Sequence, residues 1–396
     1  MKKTVCELFA GVGGFHRGLT QADSNFKIIW ANQWEPGKKV QHAFDCYKSH
    51  FGETTECVNE DIGIAKHSIP SHSLLVGGFP CQDYSVASTS AKGIEGKKGV
   101  LWWEIRDILE AKRPPFVLLE NVDRLVKSPS TQRGRDFGVM LHTLNALGYS
   151  VEWRIINAAD YGFAQRRRRI FIYAYHNSTM YYNKMTKKIA QDIIATEGVF
   201  AKAFPIEVEF ASTQSAFTTD NLVEISNNFK YTFEVAGFMQ NGVITTAKTT
   251  PIYQTAKTLA EIMEHNIDAH YFLGVDRTKW EYLKGSKQLQ RTSKTGYEYT
   301  FAEGSIAFPD PTDRPARTML TSESSVNRST HVVEDLNTHE YRLLTPIECE
   351  RLNGFADDWT NTGMPEKMRY FCMGNALVVG IIEKLGKEIS KIIDKE

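Results

Sequence analysis

Between residue 4 and about residue 175 the chain alternates short apolar or β-branched runs with stretches of helical periodicity. That alternation constrains the fold most, because successive strand–helix units bury both faces of a parallel sheet. The apolar runs predict strands over 4–9, 27–31, 56–59, 73–77, 116–120, 151–157 and 169–175. Between the fourth and fifth, Leu101, Ile105, Ile108 and Leu109 fall on one face of a helix over 100–111, and Pro114-Pro115 stops it. The expected class is α/β, a mostly parallel, doubly wound sheet with a smaller strand-rich second domain.

With 396 residues, 42% of them hydrophobic, the chain can bury a sizeable core and leave room for a second domain. Lys+Arg and Asp+Glu both number 47, so the formal charge is zero. This argues against a general nucleic-acid coat and allows only a local basic face. The six cysteines form no C-x-x-C pair and no metal-ligand cluster with the eleven histidines, so neither a structural zinc nor a disulfide framework is indicated, and a reduced, cytoplasmic setting is expected. No window approaches the roughly 18 apolar residues of a membrane span, and Met1-Lys2-Lys3 runs straight into a strand, so no membrane partner is expected.

After about residue 180 the pattern breaks into short mixed segments rich in Thr, Tyr, Gly and Lys, with Asn241-Gly242 reading as a hairpin turn. Residues 181 to about 315 therefore read as a separate, strand-rich module. Regularity returns at Tyr341, and Val378, Ile381, Ile382, Leu385, Ile389 and Ile392 recur at helical spacing in a last helix.

The chemistry-bearing residues lie where the predicted strands end. Cys81, in Gly77-Gly78-Phe79-Pro80-Cys81-Gln82, follows the apolar stretch Ser73-Leu74-Leu75-Val76. A thiol at the carboxyl end of a parallel strand stands at the ligand-binding edge of the sheet, although a lone cysteine is more often an inert small hydrophobe. The loop Phe9-Ala10-Gly11-Val12-Gly13-Gly14 follows one strand and precedes a helix; its glycines permit a tight turn and close approach to S-adenosylmethionine or a dinucleotide, or serve structure alone. Glu35 lies just past the second strand, where an acid can take ribose hydroxyls. Asp61, with Ile62, follows the third strand; each acid reads equally as a solvated loop charge. The stretches Tyr84 to Gly93 and Gly96 to Gly99 are small, polar and basic, carrying Ser85, Ser88, Lys92, Lys97 and Lys98; they suit a mobile lid over DNA or a plain surface loop.

Four runs in order, Phe9 to Gly14, Pro80-Cys81-Gln82, Glu120-Asn121-Val122 and Gln165-Arg166-Arg167-Arg168-Arg169, resemble the conserved blocks of the DNA (cytosine-5)-methyltransferase family of bacterial restriction-modification systems. The resemblance implies an S-adenosylmethionine-dependent sheet with Phe9, Gly11, Gly13, Gly14, Glu35, Asp61, Ile62 and Pro80 at the cofactor, closed by Asn375 and Ala376 of Gly374-Asn375-Ala376. It implies that Cys81 adds to carbon 6 of a flipped-out cytosine, that Glu120 steadies ring nitrogen 3, and that Arg169 faces the base. Arg167 and Arg169, two apart on a predicted strand, should project to one face and hold the ring oxygen and the catalytic loop.

On this view residues 1–180 plus 330–396 form a discontinuous catalytic domain and 181–329 recognise the target. Lys284, Lys287, Arg291, Lys294, Thr321, Ser322 and Arg328 alternate there with aromatics, which suits phosphate and base contacts. Thr345 followed by Pro346 reads as a helix start. The expected partner is double-stranded DNA, bound by a monomer, with a cognate restriction endonuclease as a further partner; no metal is called for. Competing readings are a nicotinamide oxidoreductase, a catalytically silent base-flipping protein and a tRNA-modifying relative, the last disfavoured by the large variable module.

Overall fold

The computed structural model describes residues 1–79, 101–275, 277–293 and 296–396. By contacts the chain divides into two compact units. One comprises 1–161, 168–254 and 379–396, and the other 162–167 and 255–378.

The first unit is built on a ten-stranded sheet of β1 (Thr4–Leu8), β2 (Lys27–Asn32), β3 (Glu56–Val58), β4 (Leu74–Gly78), β5 (Phe116–Val122), β6 (Tyr149–Asn157), β7 (Arg168–His176), β8 (Ala211–Ala216), β9 (Ala236–Gln240) and β10 (Val243–Lys248). Their order is β3-β2-β1-β4-β5-β7-β6-β9-β10-β8. The first five are mutually parallel, as the strand–helix alternation requires, and the rest pair antiparallel. All seven expected strands are present within two residues of their expected bounds. Val5, Leu8, Leu75, Val76, Val117 and Leu118 are fully buried or nearly so, as strands covered on both faces should be.

The helix between β4 and β5 runs from Leu101 to Lys112 and buries Ile105, Ile108 and Leu109, with Trp102 taking the inward place expected of Leu101. After β1 comes α1 (Gly14–Ala22), and the C-terminal helix Val379–Ile393 packs on it. Close approach needs small residues: a Cβ on Gly18 would stand 2.6 Å from Ile382 Cβ, and one on Gly386 2.7 Å from Ala22 Cβ. Lys3 ties the two ends of the chain, its ammonium reaching Asp23 at 2.7 Å and Ser390 at 2.9 Å.

The structure places the strands of 211–248 in the large sheet rather than in a separate module. The join is the β6–β9 ladder, which pairs Val151 with Met239 and Trp153 with Gly237. Gly237 leaves room for the ring there, since a Cβ would lie 2.0 Å from Trp153. Asn241 and Gly242 turn the following hairpin with φ of 50° and 76°, the positive values a two-residue type I′ loop requires. Strands of this length carry little periodic signal of which sheet they join.

The second unit holds two antiparallel pairs, Lys287–Thr292 with Glu298–Glu303 and Val332–Glu334 with Tyr341–Leu343. Thr345 caps the helix Pro346–Leu352 in a reciprocal box with Glu348. The buried Arg342 holds Glu348 through both terminal nitrogens and Asp335 through Nε at 2.8 Å. No described helix is long and apolar enough to cross a membrane.

Candidate active site

In the first unit the residues singled out from the sequence gather at the carboxyl ends of the parallel strands. The loop after β1 turns through left-handed backbone at Phe9 (φ 54°), Gly11 (57°) and Gly13 (90°). The loop is fastened by Ala10 N–H to Asn32 O at 2.9 Å and Gly11 N–H to Gln33 Oε1 at 2.8 Å. The glycines differ in what surrounds them. A Cβ on Gly13 would lie 2.4 Å from the Phe51 ring, whereas one on Gly11 would meet nothing within 4 Å. Open space above a positive-φ glycine, beside a strand end, is a cradle that fits a bound nucleoside group.

Glu7, just upstream, was missed by the sequence reading. It is fully buried on β1 and accepts from the Tyr47 hydroxyl at 3.0 Å, with the first-turn amides of Phe15 and His16 also favouring its charged form. Burial pushes the Glu7 carboxyl up to about 8 against those hydrogen bonds. His16 completes the cluster, stacked on Phe51 at 3.6 Å and bonded to the Tyr47 hydroxyl at 2.9 Å. Its burial lowers its pKa to about 3, so the ring is neutral.

Glu35 follows β2 and is half-buried, with its backbone locked to Gln41 by two bonds of 2.8 and 2.9 Å. Asp61 follows β3, is exposed, and accepts from Gly63 N–H at 2.8 Å, capping a short helix in which Ile62 is buried. Glu35 and Asp61 thus follow β2 and β3 as Gly11 follows β1, at one edge of the sheet.

Beside them stands the second cluster. β4 ends at Gly77-Gly78, with Phe79 following, and β5 pairs Gly78 with Glu120. A Cβ on Gly78 would lie 3.0 Å from Glu120 Oε2, so the carboxylate occupies the space a side chain would take. Across the β5–β7 ladder, Arg169 Nε reaches Glu120 Oε1 at 3.0 Å, both side chains being largely covered. Arg169 Nη1 donates to Arg168 O at 2.8 Å, which fixes the guanidinium. Asn121, which carried no assigned role, donates from Nδ2 to Phe79 O at 2.9 Å. Phe79 stands two residues before Cys81 in sequence. Pro80, Cys81, Ser85, Ser88, Lys92, Lys97 and Lys98 lie outside the described residues, as does Lys294.

The placement of Arg167 is a correction. β7 begins at Arg168, and 162–167 cluster with the second unit instead. Arg167 is 1% exposed and donates to Met319 O at 3.0 Å and Gly374 O at 2.8 Å. Gln165, also buried, accepts from Met319 N–H at 3.0 Å and donates to Asn353 Oδ1 at 3.1 Å. The first half of the Gln-x-Arg-x-Arg run thus braces loops of the second unit, and strand alternation does not relate Arg167 to Arg169. The Gly374 carbonyl that receives Arg167 precedes Asn375, which is exposed, and Ala376, which is half-buried. Gly374 also abuts the main chain at Leu320 and Thr321 so closely that a Cβ would lie 2.4 Å from Thr321 N.

Two expected DNA contacts are likewise engaged within the second unit. Lys284 is 1% exposed, bonded to Thr330 O and 3.6 Å from Asp310, and burial pulls its ammonium down to about 8. Arg328 spends its guanidinium on the carbonyls of Leu283 and Gly285, at 2.9 and 3.0 Å, and of Gly304. A basic residue in a polar sequence carries no mark of whether a carbonyl cluster awaits it inside. Lys287 and Arg291 do reach the surface, lying over the rings of Tyr282 and Phe301 at 4.3 and 3.8 Å. Thr321 is exposed and Ser322 half-buried.

With this geometry in place the comparisons are decisive: residues 3–391 match C-5 cytosine-specific DNA methylase. The chain belongs to that family. It is 52% identical to the Type II methyltransferase M.Sau3AI of Staphylococcus aureus, across 99% of this chain and 96% of that one. It is 34% identical to M.HhaI of Haemophilus parahaemolyticus, covering 43% of this chain and 48% of the relative. The fold is similar to that of DNMT2 from Spodoptera frugiperda, with a TM-score of 0.61 at 13% identity over 99% of both chains. As a member of the family the protein is a DNA (cytosine-5-)-methyltransferase, and its α/β fold is that of a methyltransferase.

Proposed function

We propose that this methyltransferase acts on carbon 5 of a cytosine flipped out of a short duplex DNA site, through a transient covalent bond to Cys81. The observation that carries the reading is the Glu120–Arg169 pair at 3.0 Å, at the end of the strand beside the one that leads to Pro80-Cys81. Bound at Gly11, Glu35 and Asp61, S-adenosylmethionine supplies an electrophilic methyl group.

Carbon 5 of cytosine is a poor nucleophile until a thiolate adds to carbon 6, which pushes electron density toward ring nitrogen 3. Cys81 makes that addition. Glu120 offers its carboxyl to ring nitrogen 3 and the exocyclic amine, and Arg169 holds that carboxyl in place and is assigned the positive charge that favours the thiolate. Asn121 fixes the carbonyl from which the Pro80-Cys81 segment departs. Once carbon 5 carries the methyl group, its proton leaves to a base, the carbon–sulfur bond breaks and the thiolate departs, restoring the ring's double bond. The target is unreachable within the stack, so the base must leave it first. The type II relatives support a bacterial modification enzyme accompanied by an endonuclease; we propose that it acts on its site as a monomer.

The test is adduct trapping. Duplex DNA carrying 5-fluorocytosine at the target, with S-adenosylmethionine, should leave a denaturation-resistant protein–DNA complex whose tryptic peptide contains Cys81. Cys81→Ala should abolish both adduct and methyl transfer while DNA binding persists. Wild-type turnover in that variant overturns the mechanism.

A further inference from the structure

The second unit carries a two-stranded ribbon that covers no core. Lys287–Thr292 pairs antiparallel with Glu298–Glu303 in six register pairs. Directly opposed residues share a face. One face therefore consists of Gln288, Gln290, Thr292, Glu298, Thr300 and Ala302, and all six are exposed. The other is more covered, with Arg291 lying over Phe301 and Lys287 over Tyr282. A bare two-stranded hairpin is marginal in water, yet this one has a fixed root. Arg328 clamps Gly285 and Gly304, the residues that bracket the ribbon, and Ile306 N–H donates to Lys284 O at 2.9 Å.

The bare face is chemically selective. It presents two glutamine amides and two threonine hydroxyls against a single charge, Glu298. Gln290 is already oriented, its amide exchanging bonds of 3.0 and 3.2 Å with the Thr300 hydroxyl. A face meant to neutralise phosphates would carry cations; amides and hydroxyls instead match the donor–acceptor pattern of base edges. The two cations occupy the opposite face. A two-stranded ribbon fits the B-DNA major groove, about 12 Å wide, and glutamine pairs bidentately with adenine N6 and N7 there.

We propose that the paired strands Lys287–Thr292 and Glu298–Glu303 enter the major groove of the substrate duplex with their Gln288/Gln290/Thr300 face toward the bases, and that Gln288 and Gln290 determine site specificity. The assignment rests on the reading above that the substrate is duplex DNA.

The experiment uses the full-length enzyme. Bisulfite sequencing of methylated plasmid defines the wild-type site, and kcat/KM is then measured on that duplex and on each single base-pair variant. The Gln288→Ala/Gln290→Ala enzyme should lose about 5- to 150-fold in kcat/KM per bidentate contact removed. It should stop discriminating at one or two adjacent positions while keeping wild-type S-adenosylmethionine affinity and Tm. Replacing adenine there with 7-deazaadenine, which lacks the N7 acceptor, should slow the wild type and leave the variant unchanged. A variant with wild-type rates and site preference overturns the ribbon's role, as does a wild-type dimer that the substitutions dissociate with no change in specificity. A wild-type enzyme that labels another nucleic acid and no duplex overturns the substrate reading, and the groove assignment with it.

Discussion

Asn121 Nδ2 and the Phe79 carbonyl oxygen are 2.9 Å apart, and both residues are almost wholly buried. The Asn121 oxygen accepts from Val122 N–H at 2.8 Å, so the amide cannot flip without setting donor against donor. Asn121 thus holds the Phe79 main chain just past β4, and on the proposed mechanism it is a positioning residue. Asn121→Ala orphans a buried carbonyl, at a cost of about 1–3 kcal/mol. The expected result is a loss of about 10- to 100-fold in single-turnover methyl transfer with S-adenosylmethionine affinity retained. Asn121→Asp, which has no donor when ionised, should fail to rescue it. Equal single-turnover rates in wild type and Asn121→Ala would remove the residue from the argument.

Glu120 is the group expected to touch the substrate ring. Glu120→Gln keeps the shape and loses the charge that Arg169 faces, so kcat should drop by about 10²–10⁴-fold. Arg169→Lys replaces a fixed planar donor set with a mobile ammonium and should retain partial activity. Rapid-quench measurement on 5-fluorocytosine DNA reads the step directly: adduct formation should slow in both variants, and undiminished adduct formation in Glu120→Gln would place its role elsewhere.

Gly11 and Gly13 share positive φ but not surroundings, which separates binding from folding. Gly13→Ala drives a methyl group into the Phe51 ring, and with the backbone penalty should cost about 2–4 kcal/mol of stability. Gly11→Ala meets no protein atom within 4 Å, so only the left-handed penalty of about 1 kcal/mol applies. Thermal unfolding should therefore rank Gly13→Ala far below Gly11→Ala. Calorimetric titration should show Gly11→Ala weakened for S-adenosylmethionine by more than its stability loss explains.

Glu7 makes stability depend on pH. Its carboxyl is pushed from the ordinary 4.5 to about 8, chiefly by burial. Between those values the folded protein holds a proton that the unfolded chain releases. The contribution is complete below about pH 4.5 and is lost as pH rises through about 8, on the order of a few kcal/mol in all. Glu7→Gln is neutral throughout. Urea unfolding of both proteins from about pH 5 to 8.5 should show wild type losing stability relative to the variant. Glu152, which burial pushes to about 7, slopes both curves alike and cancels in the comparison; parallel curves would place the Glu7 proton elsewhere.

The parallel half of the sheet was legible because each strand is a continuous apolar run and each site residue follows one directly. Gly11, Glu35, Asp61 and Glu120 stand at strand ends as their order along the chain requires. What failed was inference from residue type without neighbours. Arg167 and Arg169 are two apart in sequence, but the chain joins the sheet only at Arg168, so strand alternation does not relate them. Glu7 sits inside an apolar strand, where a lone acid gives no sign of the helix amides it will meet. Strands 211–248 are too short and too polar at the edge to announce their sheet.

Lys284 and Arg328 test the same point. An arginine on a phosphate would, when removed, lower the salt slope of DNA binding by about one ion. Arg328 instead satisfies the carbonyls of Leu283, Gly285 and Gly304. Arg328→Ala should therefore cost about 1–3 kcal/mol of stability, seen as a Tm lower by several degrees. Log Kd against log salt should run parallel to wild type, displaced by whatever the loosened ribbon loses. Arg291→Ala gives the contrast: Arg291 is exposed over Phe301, so its removal should leave Tm nearly unchanged. A reduced salt slope in Arg328→Ala, with intact Tm, would put its guanidinium on DNA and undo the assignment.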